Sequence, residues 1–109
     1  ENSNRLLDEA IHYIRQHKGT LSIDELKSYL GVNYKWLERN FSEAMGMTPK
    51  QYSSLQRFIN AYTAFLVQKD LAGITAESGY SDTNHFIKDF KKVTIYDNTL
   101  NFVMYYFIF

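Results

Sequence analysis

The chain carries one pattern twice, and this internal repeat constrains its fold more strongly than any other feature of the sequence. Positions of the first copy up to and including its glycine correspond to positions 48 residues later in the chain. Positions after that glycine correspond to positions 49 residues later. Each copy predicts a short helix, a turn containing the glycine, and a second helix with two apolar residues one turn apart, which is the helix-turn-helix pattern. The corresponding pairs are Leu26 and Ile74, Gly31 and Gly79, Leu37 and Phe86, and Phe41 and Phe90.

The whole chain has 1 proline and 5 glycines, and the long stretches between these breakers carry helical rather than alternating periodicity. A first helix is predicted at roughly residues 4–18, ending in a basic turn at Lys18 with Gly19 beyond it. The two helix-turn-helix units are predicted at about 22–45 and about 70–93, joined by a long connecting helix at about 49–68. In the C-terminal segment, residues 94–109, Asp97 can cap a last helix that begins near Asn98. The sequence thus predicts one all-α domain of about seven helices over residues 1–109.

The predicted helix starts carry side chains that can accept hydrogen bonds from the free backbone N–H groups of a first turn. Ser22 and Glu25 match the capping box, in which each side chain bonds the other residue's amide. Thr48 precedes Pro49, and proline suits the first position of a helix because its missing N–H would have no partner there. Further caps are predicted at Asn33, Asp70 and Asp82.

Apolar residues at helical spacing predict the faces that are buried. In the helix that follows Asn33, the inward residues are expected to be Leu37, Phe41 and Ala44. The sixth helix is expected to present Phe86 and Phe90 inward. In the connecting helix, the predicted stripe consists of Tyr52, Leu55, Ile59, Tyr62 and Leu66.

Composition excludes several classes of function. The chain has 12 basic and 12 acidic residues, and this zero net charge argues against a broad basic surface for non-specific nucleic-acid binding. It has no cysteine, which excludes disulfides, thiolate nucleophiles and cysteine-rich zinc sites and suits a cytoplasmic location. The apolar run at residues 102–109 is too short for a bilayer span, which needs about 20 residues. We therefore expect no membrane partner, and because the chain opens at Glu1 without methionine, we expect a further N-terminal domain.

Specific motifs surround both copies of the repeat. The first contains Leu37-Glu-Arg-Asn-Phe41, then Gly46-Met-Thr-Pro49 and Tyr52; the second contains Glu77-Ser-Gly-Tyr-Ser-Asp82 and His85-Phe-Ile-Lys-Asp-Phe-Lys-Lys92. Over roughly Leu6 to Lys92 these motifs resemble the DNA-binding domain of the AraC/XylS family of bacterial transcription regulators. The chain departs from that pattern at Lys27 and Thr75, where the family usually has alanine, and beyond Lys92, where its closing motifs are absent.

The resemblance implies a sequence-specific DNA-binding domain, whose third and sixth helices enter successive major-groove segments on one face of the DNA. The implied partners are double-stranded DNA, the transcription machinery and an N-terminal effector domain. We expect no enzymatic activity, no cofactor and no metal. His12 and His17 stand five apart, which separates them by about 140° around a helix and favours two surface histidines over a metal site.

Helical spacing selects candidate base-reading residues on both helices, and on the third helix the resemblance selects the same three. If Leu37 and Phe41 point inward, Lys35, Glu38 and Arg39 form an outward ridge on the third helix. On the sixth helix the outward residues are Thr83, Asn84, Ile87 and Lys88. Phosphate contacts are expected from Lys50, Lys91 and Lys92 and from backbone amides at helix N-termini.

Alternative interpretations of these residues remain open. The charged side chains of the ridges could be solvated surface groups, and Tyr34 and Trp36 could stack on DNA sugars, although packing against a neighbouring helix is favoured. The alternative function is a helical protein-interaction module that has kept the fold but lost base readout, which the neutral charge and the apolar tail at 102–109 would suit. A fused DNA-repair enzyme domain is a third interpretation, and the missing cysteine disfavours its alkyl-accepting form.

Overall fold

The computed structural model of the chain describes residues 2–68 and 70–96, and the side chains of residues 3–67 and 70–91. Within these ranges the chain forms six helices and no strand, which confirms the all-α class. The predicted last helix near Asp97 and the apolar tail at 102–109 lie outside the described residues. The helices are α1 (Asn2–Gln16), α2 (Ile23–Leu30), α3 (Tyr34–Met45), α4 (Pro49–Gln68), α5 (Leu71–Glu77) and α6 (Thr83–Tyr96).

The chain divides into two compact units, Glu1–Arg57 and Phe58–Phe109, and the boundary between them falls inside α4. In the first unit, α1 packs on α2 and α3, and the first half of α4 contributes Tyr52, whose ring lies 5.6 Å from that of Phe41. Burying each large apolar side chain contributes about 1.5–3 kcal/mol, so this core is the main source of stability in the unit. The buried core residues are Ala10, Ile14, Leu26, Leu30, Leu37, Phe41 and Tyr52.

The second unit has its own core, built on an aromatic cluster. Phe58 of α4 stacks on Phe86 of α6 with ring centroids 5.5 Å apart, and Phe90 lies 6.3 Å from the same ring. The Tyr80 hydroxyl donates to Asp89 Oδ2 at 2.9 Å, which satisfies the polar end of a buried ring. The buried core residues are Phe58, Ala61, Ile74, Tyr80 and Phe86.

The predicted helix caps of the first unit are present. Ser22 Oγ accepts a hydrogen bond from Glu25 N at 3.0 Å and Ser22 N donates to Glu25 Oε1 at 3.4 Å, which completes the capping box of α2. Asn33 Oδ1 accepts from Trp36 N at 2.8 Å and so caps α3. At the start of α4, Thr48 Oγ1 accepts from Gln51 N at 3.1 Å, and Gln51 Oε1 accepts from Thr48 N at 2.9 Å.

The second unit begins its helices in the predicted way as well. Asp70 Oδ1 accepts from Gly73 N at 3.3 Å, and Asp82 Oδ1 accepts from His85 N at 2.8 Å. Thr75, which stands where the resemblance expects alanine, is buried. Its hydroxyl donates to the carbonyl of Leu71 at 2.9 Å, so the extra polar atom has a partner inside its own helix.

The first helix ends earlier than the sequence predicts, and the turn that follows it packs on α4. It stops at Gln16, and both Lys18 (φ 54°) and Gly19 (φ 72°) adopt left-handed conformations. Gly19 is buried against α4, where Ser53 Oγ donates to its carbonyl oxygen at 3.1 Å. A Cβ atom on Gly19 would overlap the carbonyl oxygen of Ser53 and would stand 2.7 Å from Arg57 N. The turn between α1 and α2 therefore packs directly on the backbone of α4.

Three predictions of burial need correction. Ala44 is exposed, and Met45 packs against the first core in its place, because the longer side chain reaches the core from the end of α3. In the part of α4 that belongs to the second unit, the fully buried residues are Phe58 and Ala61, which the predicted stripe omitted. The remaining stripe residues, Leu55, Ile59, Tyr62 and Leu66, are only half-buried.

Candidate nucleic-acid interface

The third helix presents a polar ridge because its apolar residues are fully inserted into the first core. Leu37 and Phe41 have no exposed surface, while Lys35 and Arg39 are exposed on the other side of the helix. The ridge borders a shallow groove of about 400 Å³. The groove is lined by Asn33, Lys35, Trp36, Arg39, Asn40 and Glu43.

Arg39 forms a weak surface ion pair. Its Nε lies 3.5 Å from Glu43 Oε1, and the two side chains are 80% and 68% exposed. An ion pair of this kind contributes about 0.2–1 kcal/mol at most, because solvent screens it and two long side chains are ordered. Arg39 can therefore leave Glu43 at small cost when a stronger acceptor is offered.

Glu38 is less free than the sequence predicts. It is half-buried, and its Oε2 accepts a hydrogen bond from the Tyr34 hydroxyl at 2.6 Å. This hydrogen bond, with smaller effects of desolvation and of the Glu38 charge, raises the pKa of Tyr34 above its usual value. The ridge thus carries a carboxylate whose position is set by a neighbouring side chain.

Sequence reasoning missed two polar residues of the groove. Asn40 Nδ2 donates to the carbonyl of Trp36 at 2.8 Å, and Glu43 pairs with Arg39. Both lie four residues after a partner on the same helix, so the ordinary helical spacing rule could have identified them. Trp36 is half-buried against the first core, which agrees with the packing interpretation, whereas Tyr34 is 48% exposed.

The sixth helix presents the second set of candidate residues. Asn84 and Lys88 are exposed, while Thr83 and Ile87 are half-buried. Phe86 is inserted into the second core and anchors this face, and the Asp82 cap determines where the helix begins. All four candidate residues lie within the first two turns of α6.

Two of the three lysines predicted to contact phosphates are exposed. Lys50 is the second residue of α4, and Lys91 lies on α6. The side chain of Lys92 lies outside the described residues. At the start of α4, Pro49 has no amide hydrogen and the amide of Gln51 is bonded to Thr48, so the attraction for a phosphate there comes mainly from the charge of Lys50.

His12 and His17 are both exposed, and no group of three or more metal-ligating side chains occurs among the residues whose side chains are described. Within residues 2–68 and 70–96, no helix is both long enough and apolar enough to span a bilayer.

Comparison with known proteins identifies the family. A family model for a helix-turn-helix domain, of the AraC type, matches residues 26–95, a segment that includes both copies of the repeat. YisR of Bacillus subtilis (strain 168), whose description is "uncharacterized HTH-type transcriptional regulator", is 30% identical over 91 residues. The aligned region covers 82% of this chain and 32% of that protein, so the chain spans about a third of its relative's length. No solved structure matches the chain significantly.

These similarities do not favour the interpretation as an interaction module that has lost base readout. The family match extends across α3 and α6, the two helices that expose the candidate ridges. The matched segment therefore includes the helix that carries the candidate ridge in each unit. The chain belongs to the AraC-type helix-turn-helix family of DNA-binding transcription-regulator domains.

Proposed function

We propose that the chain recognises a specific operator sequence by inserting α3 and α6 into successive major-groove segments of double-stranded DNA. The observation that carries this proposal is the same in both helices: apolar residues anchor one face in a core, and a polar ridge is left for solvent. Consecutive major-groove segments on one DNA face are about 34 Å apart, and we expect two recognition motifs at that spacing. The proposed readers are Lys35, Glu38 and Arg39 on α3, and Thr83, Asn84, Ile87 and Lys88 on α6.

The chemistry of the exposed residues suggests which bases they bind. The Arg39 guanidinium can form two hydrogen bonds with O6 and N7 of guanine, and the Asn84 amide can pair with N6 and N7 of adenine. Ile87 is half-buried and offers an apolar surface that suits the methyl group of thymine. Each well-formed base contact of this type is worth about 1–3 kcal/mol of discrimination against the wrong base.

Phosphate contacts would then fix the register of the protein on the duplex. We assign them to Lys50, Lys91 and Lys92, together with backbone amides at helix N-termini. The zero net charge of the chain supports few such contacts, because a protein that neutralised many phosphates would need an excess of basic residues.

In its natural context the chain would act within a bacterial transcription regulator in the cytoplasm. The relative from Bacillus subtilis is about three times as long as the matched segment, which supports a further domain that senses an effector. Contacts with the transcription machinery would follow from DNA binding at a promoter. We propose no catalytic activity for this chain.

Selection of bound sequences from random duplex DNA, at a stated salt concentration, tests the proposal directly. The expected result is enrichment of two short motifs about one helical turn apart, which is roughly 10 base pairs. Recovery of no enriched motif from the wild-type chain would contradict base readout, and a single motif would contradict the use of both helices.

Alanine substitutions then test the assigned residues. Arg39→Ala and Lys88→Ala are each expected to weaken operator binding by about 1–3 kcal/mol and to relax specificity at the base pair they contact. Arg5→Ala is a matched control, because Arg5 forms the same type of exposed ion pair with Glu9, at 3.2 Å, but lies on α1. Operator affinity that is equal in all three variants would reject the assignment.

A further inference from the structure

The hydrogen bond between Tyr34 and Glu38 joins two side chains one turn apart on α3. The hydroxyl oxygen lies 2.6 Å from Glu38 Oε2, a length typical of a bond between a neutral O–H donor and a charged carboxylate. Tyr34 is the first residue of α3, and its backbone position is set by the Asn33 cap. Glu38 is also half-buried, which limits the rotamers open to it. Both ends of this bond are therefore attached to well-defined backbone.

The hydrogen bond from Tyr34 engages one of the two carboxylate oxygens of Glu38. Tyr34 engages Oε2, and Oε1 is the oxygen that remains for a donor on DNA. A glutamate on an exposed helix face normally samples many rotamers, and ordering it on binding costs free energy. Here that cost is reduced before DNA arrives, because the bond already restricts the carboxylate.

We propose that Tyr34 is a positioning residue for base readout, which holds Glu38 so that Oε1 accepts a hydrogen bond from the exocyclic amino group of a cytosine. This inference rests on the proposed function, in which α3 enters the major groove. Cytosine is the base selected because its N4 group is a donor in that groove. Adenine N6 also donates, but the neighbouring N7 acceptor would face the same carboxylate.

A fixed carboxylate discriminates more sharply than a mobile one. In the major groove guanine presents the acceptors O6 and N7, and thymine presents the acceptor O4 and a methyl group, so neither base offers a donor to a carboxylate held opposite it. A mobile glutamate could swing aside and tolerate the wrong base. We therefore expect Tyr34 to affect the preference for cytosine more than the affinity for the best operator.

The test uses the selected operator and its single-base variants, with dissociation constants measured by fluorescence anisotropy. The position that Glu38 reads is the one where Glu38→Ala abolishes the wild-type preference for cytosine. At that position Tyr34→Phe is expected to reduce the preference for cytosine by about threefold to tenfold, within the range of couplings between neighbouring residues. Base preferences at all other operator positions should stay unchanged. If the hydroxyl had a merely structural role, its removal would change the preferences at several positions together.

Three further variants make the result decisive. Tyr34→Phe in the Glu38→Ala background should cause no additional change, since the hydroxyl acts through the carboxylate. Glu38→Asp keeps the charge but shortens the side chain, so it should lose the same preference and be insensitive to Tyr34→Phe. Tyr29→Phe is the matched control, because Tyr29 is a comparably exposed tyrosine on α2, and it should leave every preference intact.

The outcomes separate this inference from the proposed function. If the wild-type chain shows no sequence preference at all, both the proposed function and this inference are overturned. A wild-type preference at the Glu38 position that survives in folded Tyr34→Phe would overturn the role of Tyr34 alone. If Glu38→Ala abolishes no cytosine preference at any operator position, this inference is likewise refuted, while the other readers are left in place.

Discussion

Replacing Gly19 by alanine is expected to destabilise the first unit strongly, because the added methyl group would meet the backbone of α4. Gly19 has φ 72°, and its backbone lies against α4. The added Cβ would overlap the carbonyl oxygen of Ser53 and stand 2.7 Å from Arg57 N. Both atoms belong to the backbone of a helix, so no side-chain rotation can relieve the clash.

The size of the effect follows from two contributions. Holding a non-glycine residue in the left-handed region costs about 1–2 kcal/mol. Displacing packed backbone adds about 1–3 kcal/mol, as in overpacked cores. The shift would also lengthen the buried hydrogen bond from Ser53 Oγ to the Gly19 carbonyl, which is 3.1 Å long. We expect Gly19→Ala to lower the free energy of unfolding of the first unit by about 2–5 kcal/mol, a large part of the usual 5–15 kcal/mol.

Gly31→Ala provides the matched control. Gly31 has the same φ of 72°, but a Cβ built there meets nothing within 4 Å. Only the conformational cost of about 1–2 kcal/mol should therefore remain. The comparison separates the effect of backbone conformation from that of the contact with α4.

Urea denaturation followed by tryptophan fluorescence measures the difference. The chain has one tryptophan, Trp36, and it packs against the first core, so its emission reports on that unit. With an m-value of about 1–3 kcal/mol/M, a difference of about 2 kcal/mol between the two variants moves the midpoint by roughly 1 M. Equal midpoints for Gly19→Ala and Gly31→Ala would refute the argument that the turn packs on the α4 backbone.

Two further predictions follow from the helix caps and from the charge. Ser22→Ala should reduce the free energy of unfolding by about 1 kcal/mol, because it removes the cap of α2. The control Ser28→Ala, at an exposed site on the same helix, should change this free energy little. Equal urea midpoints for the two variants would contradict the role of the cap. Operator affinity measured from low to high salt should give a slope equivalent to no more than about six phosphates, and a much steeper slope would show that more cations contact DNA than Lys50, Lys91 and Lys92.

Helix boundaries could be predicted from the sequence because the interactions that set them are local. The bonds from Ser22, Asn33, Thr48 and Asp82 each join residues three apart, and no other element is needed to form them. The repeat likewise predicted the residues that anchor α3 and α6 in their cores. Leu37 and Phe86 are both buried, as expected from their matching positions.

The polar side of the third helix was only partly predictable. Helical spacing assigned Lys35 and Arg39 to the surface, where they are found. It also treated Glu38 as an outward charge, and did not anticipate its bond to Tyr34. The four-residue spacing permits this bond but does not require it, because Tyr34 could equally have packed against a neighbouring helix.

Periodicity along the chain therefore accounts for the all-α class, the order of the helices and the two anchored ridges, since each depends on residues within one or two turns of each other. Burial of Phe58 rather than Ile59, exposure of Ala44, and the close approach of Gly19 to α4 depended on how distant segments pack. Gly19 and Ser53 are 34 residues apart in the chain, and a pattern that repeats every 3.6 residues holds no information about which backbone a turn will meet.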